Sequence, residues 1–236
     1  MKRAIVTGAS SGIGGSLAQA LWAAGYEVIG FGRNFEEIPE REDFTQVALD
    51  LLDTDSLLEA VDQFRAKGDV DLLALCAGCA YYGPHETLNP RKIAEMVRVN
   101  LEVPLILVQH LLRDLRRSRG TIVLMSSVTA EFPSPQGAAY GATKAGLSAF
   151  GQSLFEEVRK SGVKVLTVQP DLTDTKLYRH ADFAPDPDPM ACLNPKEVAD
   201  AVLYALSCPD HMVLREITLR PQLNRIVRRP LDREPF

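Results

Sequence analysis

Arg3-Ala-Ile-Val-Thr7-Gly8-Ala9-Ser10-Ser11-Gly12-Ile13-Gly14 opens the chain with an apolar run that breaks into a glycine-rich turn and then into a helical pattern. The run reads as a strand buried on both faces, because it is continuous rather than alternating. Glycines at 8, 12 and 14 let the backbone turn sharply and approach a ligand closely. The helix that follows points its first N–H groups back at the turn. A strand, a turn of this kind and a helix in succession form a phosphate-binding unit, since helix N-termini favour anions. Gly8, Ser10, Ser11, Gly12, Ile13 and Gly14 are the candidate contacts.

The same rhythm continues outward. Strand-like runs at 3–7, 27–31, 46–49, 70–75, 121–125, 164–168 and 216–219 alternate with helical patterns at 13–24, 55–67, 90–117, 138–160 and 195–206. Alternation with right-handed crossovers predicts a doubly wound, Rossmann-type parallel sheet of about seven strands, covered by helices on both faces in three αβα layers. No linker or repeat divides residues 1–236, so a single domain is expected. Two stretches break the pattern. Asp182-Phe-Ala-Pro-Asp-Pro-Asp-Pro189 cannot be a regular helix and follows the sixth strand, on the ligand side of such sheets, so 174–194 reads as a substrate lid. Residues 220–236 form a tail with five arginines, suited either to another subunit or to solvent.

Composition excludes several classes. The 236 residues are 46% hydrophobic and 24% charged, with 26 basic and 31 acidic side chains for a net charge of −5. Such a chain is globular and is not a nucleic-acid or anionic-membrane binder. There is no apolar run long enough for a bilayer, and Met1-Lys-Arg leads straight into the first strand, which predicts a cytoplasmic protein without a signal peptide. The pair Cys76-x-x-Cys79 has no second pair, and the four histidines have no ligand spacing, so no metal site is expected.

Tyr140 and Lys144 are four residues apart at the start of a helical pattern and share one face of it. Ser127 precedes them at the end of the fifth strand, where ligand-facing groups gather. A lysine ammonium beside a tyrosine favours phenolate and brings the group toward acid/base duty at neutral pH. A serine hydroxyl can bond the same substrate oxygen.

Thr7-Gly8-x3-Gly12-Ile13-Gly14, with Asn100, Ser127, Tyr140 and Lys144 in order, resembles the short-chain dehydrogenase/reductase family from about residue 2 to 175, and more loosely to 219. The resemblance implies a hydride exchanged between a nicotinamide and a carbonyl or secondary alcohol, with Tyr140 as acid/base. It implies that Lys144 also holds the nicotinamide ribose and that Asn100 supports a proton-relaying water chain. It places Asp50 and Leu51 at the adenine, Ala77 and Gly78 beside the nucleotide, and Pro170, Leu172, Thr173 and Thr175 beside the nicotinamide. It also implies a homodimer or homotetramer paired through the apolar segments at 101–115 and 145–158.

Two segments depart from the family: Leu75-Cys76 replace two amides that brace the sheet and the adenosine pocket, and Asp171 replaces the glycine after Pro170. The second strand ends at Gly32-Arg33-Asn34, with glycine in the acidic slot that would bond a ribose 2′-hydroxyl. Arg33, supported by Ser10, Ser11 and Asn34, suits a 2′-phosphate, so NADP rather than NAD is expected. Tyr81, Tyr82, Val128, Phe132, Leu177 and Tyr178 are candidate pocket walls for a small-molecule substrate. The competing reading is a nucleotide-binding regulator or scaffold of the same fold without turnover.

Overall fold

The structure is a computed structural model that describes residues 1–36 and 38–229. In chain order the main elements are β1 (Lys2–Thr7), α1 (Gly12–Ala23), β2 (Tyr26–Gly32), β3 (Phe44–Ala48), α2 (Thr54–Arg65), β4 (Leu72–Leu75), α3 (Pro90–Val97), α4 (Val103–Ser118), β5 (Thr121–Met125), α5 (Ala138–Val158), β6 (Lys164–Pro170), β7 (Phe183–Pro185), α6 (Pro195–Ser207), β8 (Glu216–Leu219) and β9 (Ile226–Arg228). Seven strands form one sheet in the order β3-β2-β1-β4-β5-β6-β8, and every neighbouring pair is parallel.

Successive strand residues face opposite sides, and both sides are covered. Ala4, Val6, Leu72 and Val123 pack with Leu17, Leu21, Val198 and Val202 of α1 and α6. Ile5, Leu73 and Ile122 pack with Leu57, Leu107, Leu111 and Leu154 of α2, α4 and α5. This is why the strands read as unbroken apolar runs. Each such leucine contributes roughly 1.5–3 kcal/mol by leaving water. Strand order reverses between β1 and β4, which opens a crevice at the carboxyl ends of the strands.

The pattern at 90–117 is not one regular helix. Pro104 lacks the N–H that would return to the Asn100 carbonyl four residues back. The chain widens into a π-turn over Arg98–Glu102, where the Val103 N–H reaches five residues back to the Arg98 carbonyl. Asn100 sits on this widened turn.

The stretch 182–189 contains β7, which pairs antiparallel with β9 in a separate two-stranded ribbon that no local pattern announced. The tail residues Arg220, Arg225, Arg228 and Arg229 all bond partners within the same chain, while the Arg220, Arg225 and Arg228 side chains stay more than half exposed. Asp232, Arg233 and the rest of the expected tail lie outside the described residues. Among the described residues, no helix is long and apolar enough to cross a membrane.

Candidate active site

A cavity of about 380 Å³ fills the crevice at the carboxyl ends of the strands. One end is the β1–α1 turn. Gly8 has φ +69°, and a Cβ on it would lie 2.8 Å from the Ala77 Cα. A Cβ on Gly14 would lie 2.4 Å from the Gly8 carbonyl oxygen. The glycines therefore let the turn nest against β4 while leaving its outer edge open. No side chain caps the start of α1, and its first turn carries no acidic residue. The leading N–H groups thus face the cavity without an internal competitor, which is the arrangement an anion needs.

Next to Cys76 the backbone is tied to β1, where the Thr7 hydroxyl accepts from the Ala77 N–H at 3.2 Å. Burial pushes the Cys76 thiol up to about 12 and the Cys79 thiol up to about 11. Both are packing groups rather than thiolates.

Gly8, Ser10, Ser11, Gly12, Ile13, Gly14, Arg33, Asp50, Leu51, Ala77, Gly78, Ser127, Tyr140, Lys144, Pro170, Leu172, Thr173 and Thr175 all line the cavity. Two of the expected nucleotide-binding and catalytic residues do not. The Asn34 side chain accepts from the Glu36 N–H at 2.8 Å and belongs to its own loop. Asn100 is fully buried behind the wall. Its Oδ1 accepts from the Cys79 N–H and its Nδ2 donates to the Cys79 carbonyl, both at 2.9 Å. Nδ2 also donates to Thr143 Oγ1 at 3.1 Å, and that hydroxyl donates to the Tyr140 carbonyl at 2.7 Å. The π-turn thus positions the first turn of α5 through Thr143.

Ser126 completes the clamp, bonding the Lys144 carbonyl at 3.0 Å and Ser148 at 2.8 Å. Neither Thr143 nor Ser126 was singled out by sequence. The available signals were a hydroxyl on the Tyr140–Lys144 face and a second serine beside Ser127.

Ser127 accepts from the Thr129 N–H at 3.2 Å, which caps a short helical turn. Its hydrogen bond to Tyr140 favours the phenolate. Burial outweighs it, and with Tyr178 nearby it holds the Tyr140 phenol well above its ordinary value. The lowered phenol expected from the Lys144 spacing is thus not a property of these residues alone. Lys144 itself is pushed down to about 8 by desolvation, with the neighbouring cysteines opposing that fall. Its ammonium lies 5.7 Å from the Tyr140 ring centroid and donates to the Met125 carbonyl at 2.7 Å.

Beyond Tyr140 the cavity is walled by Tyr82, Val128, Leu177, Tyr178 and Phe183. Tyr81 and Phe132 are not on this wall. The Tyr81 hydroxyl bonds Glu95 and Lys92, and Phe132 is half exposed beneath the Arg220 guanidinium. Asp171 lines the cavity beside Pro170. Its carboxylate accepts from Arg220 at 2.8 Å and from Asn224 at 2.7 Å.

A doubly wound sheet with an open glycine turn and a serine, tyrosine and lysine at one cavity defines a nucleotide-binding oxidoreductase. The model of the short chain dehydrogenase family matches residues 2–183, and the chain belongs to that family. An uncharacterized oxidoreductase of Staphylococcus epidermidis is 34% identical over 230 residues, covering 93% of this chain and 97% of that one. An alcohol dehydrogenase of the archaeon Thermococcus sibiricus, complexed with 5-hydroxy-NADP, superposes with a TM-score of 0.86 at 27% identity, covering 95% of this chain and 98% of that chain. A 4-hydroxyisoleucine dehydrogenase complexed with NADH shares the fold, with a TM-score of 0.82 at 21% identity over 94% of this chain and 98% of that chain.

Proposed function

We propose that this protein is an NADP-dependent reductase of carbonyl compounds that also runs in reverse on secondary alcohols. The observation that carries the reading is the convergence of Ser127, Tyr140 and Lys144 on the cavity that the glycine turn opens into. The residues fit a nicotinamide dinucleotide: the uncapped α1 start and Gly8–Gly14 cradle suit its pyrophosphate, Asp50 and Leu51 its adenosine, and Lys144 and Thr173 its nicotinamide half. When bound, that cofactor supplies the hydride.

The protein supplies the proton and the geometry. Tyr140, held protonated by burial, is in the form that donates to a carbonyl oxygen. Ser127 bonds the same oxygen and steadies its developing charge. Lys144 keeps positive charge beside the phenol, so the phenolate left after donation is compensated. The buried Asn100–Thr143 bridge fixes Tyr140 from behind. Segment 174–194 serves as the substrate lid, with Thr175, Leu177 and Tyr178 already on the cavity wall.

NADP rather than NAD is supported by Arg33, an exposed cation that lines the cavity and forms no ion pair or hydrogen bond among the described residues. The Thermococcus sibiricus relative with its NADP derivative adds support. We further read the chain as a cytoplasmic homo-oligomer assembled through α4 and α5. The test of the activity is NADPH oxidation against a panel of ketones and aldehydes. Turnover supports the reading, and nucleotide binding without turnover of any of them overturns it.

A further inference from the structure

The tail and the lid carry opposite charge and are joined. Arg228 Nη1 lies 2.6 Å from Asp182 Oδ2, and Arg225 Nη2 lies 2.5 Å from Asp188 Oδ2 with its Nε 3.6 Å from Asp186. Arg229 donates to the Ala181 carbonyl at 3.1 Å and to that of Tyr178. Between these contacts β7 and β9 pair, setting Phe183 opposite Arg228 and Pro185 opposite Ile226. The root of the tail is fixed by the Asp171 contacts to Arg220 and Asn224.

The pairing brings Asn224 and Ile226 into the cavity wall beside Phe183 and Tyr178. The Phe183 ring centroid is 5.0 Å from that of Tyr82 and 5.5 Å from that of Tyr178, and Tyr82 is 6.0 Å from Tyr140. The charged side chains nearest this end already have partners: Glu95 bonds Tyr81 and Lys92, and Arg179 bonds the Lys176 carbonyl and His180.

Resting on the reductase reading above, we infer that residues 220–229 are a specificity-determining wall of the substrate site, latched onto the lid by these ion pairs, and that the site takes an uncharged carbonyl compound bearing an aromatic or comparably bulky apolar substituent. Stacked and edge-on rings offer apolar area and defined geometry to such a group. An anionic substituent would face three phenols, and the Arg179 guanidinium on this lining is already engaged by the Lys176 carbonyl and the His180 ring. A cationic one would face Lys144 across Tyr140. Ile226 joins this wall only while the latch holds. Exposed ion pairs are individually weak and screened by salt, so the wall is releasable.

The test uses the full-length chain with NADPH, and compares kcat/KM for acetophenone and acetone while following hydrogen–deuterium exchange of the 226–228 amides. Wild type should favour acetophenone by at least about tenfold, and Ile226→Ala should shrink that ratio several-fold through KM. Arg228→Asp should shrink it by about tenfold and speed amide exchange, and the swap Arg228→Asp/Asp182→Arg should restore both. A wild type without the preference overturns the inference. So does an unchanged ratio in both Ile226→Ala and Arg228→Asp, or a swap that restores neither readout. Turnover with an unaltered ratio rejects this inference alone. No oxidation of NADPH or NADH by either ketone or by any of the carbonyl panel rejects the reductase reading and the inference with it.

Discussion

A Cβ on Gly32 would sit 2.6 Å from both Cβ and Oγ of Ser10. The end of β2 and the phosphate turn are therefore in contact, and a carboxylate at position 32 would force Ser10 to move. Glycine at this position is thus a packing requirement of the turn. The next side chain, Arg33, lines the cavity, and on the NADP reading proposed above it is the group that meets the adenosine ribose.

Arg33→Asp should lower kcat/KM for NADPH and raise the relative use of NADH. The variant loses a charge-assisted contact of roughly 1.5–3 kcal/mol and gains a carboxylate that repels the 2′-phosphate. Ratios measured at one pH and ionic strength check this, since salt screens an exposed pair. A variant that keeps its NADPH preference would make Arg33 a mere loop charge.

Lys144 gives the cofactor-free protein a pH-dependent stability. Its ammonium is pushed down to about 8 by desolvation, below its ordinary value of about 10.4 in the unfolded chain. Between those values the unfolded chain binds more protons, so stability rises with pH and levels off above the unfolded pKa. As pH falls the contribution is lost between those two values, and the profile is flat below about 8, where both states hold the proton. Lys144→Met removes the titration and should flatten this part of the profile, with a difference on the order of a few kcal/mol. Thermal denaturation of both chains across that pH range checks it. Parallel profiles would show that Lys144 is not buried as a charge.

Much of the site was legible because its parts lie within single local elements. The glycine turn sits inside one strand–turn–helix unit, and Tyr140 and Lys144 lie one helical turn apart. The seven-stranded sheet followed from apolar runs that both helix layers cover. What stayed hidden depends on distant pairings. The Phe183–Arg228 register joins positions far apart in sequence, and alternating prolines and aspartates masked the short strand. The role of Asp171 was equally illegible, because its partners Arg220 and Asn224 lie beyond the last sheet strand. Asn100 was read as a residue of a plain helix, although Pro104 four positions on was the available sign of a widened turn. Phe132 looked like a pocket residue because its segment follows Ser127 and borders the site, yet it lies under an arginine at the surface.

Assembly should follow α4 and α5. Leu105 is exposed on α4 with Val97 exposed just before it, and Ala149 is exposed on α5 with Phe150 half-buried beside it. A homodimer or homotetramer would cover these apolar side chains. Light scattering over a range of concentrations should give a multiple of the 25.9 kDa chain mass. A monomer mass at every concentration would reject assembly through these helices.

The central claim is that Tyr140 moves the proton, and one comparison addresses it most directly: NADPH oxidation by wild type and by Tyr140→Phe with the same ketone, alongside NADPH affinity for both. The phenylalanine keeps the ring and its packing against Tyr82 and removes only the hydroxyl. The account predicts a fall in turnover of at least ~10²-fold with nearly unchanged NADPH binding. Turnover close to that of wild type in Tyr140→Phe would contradict it.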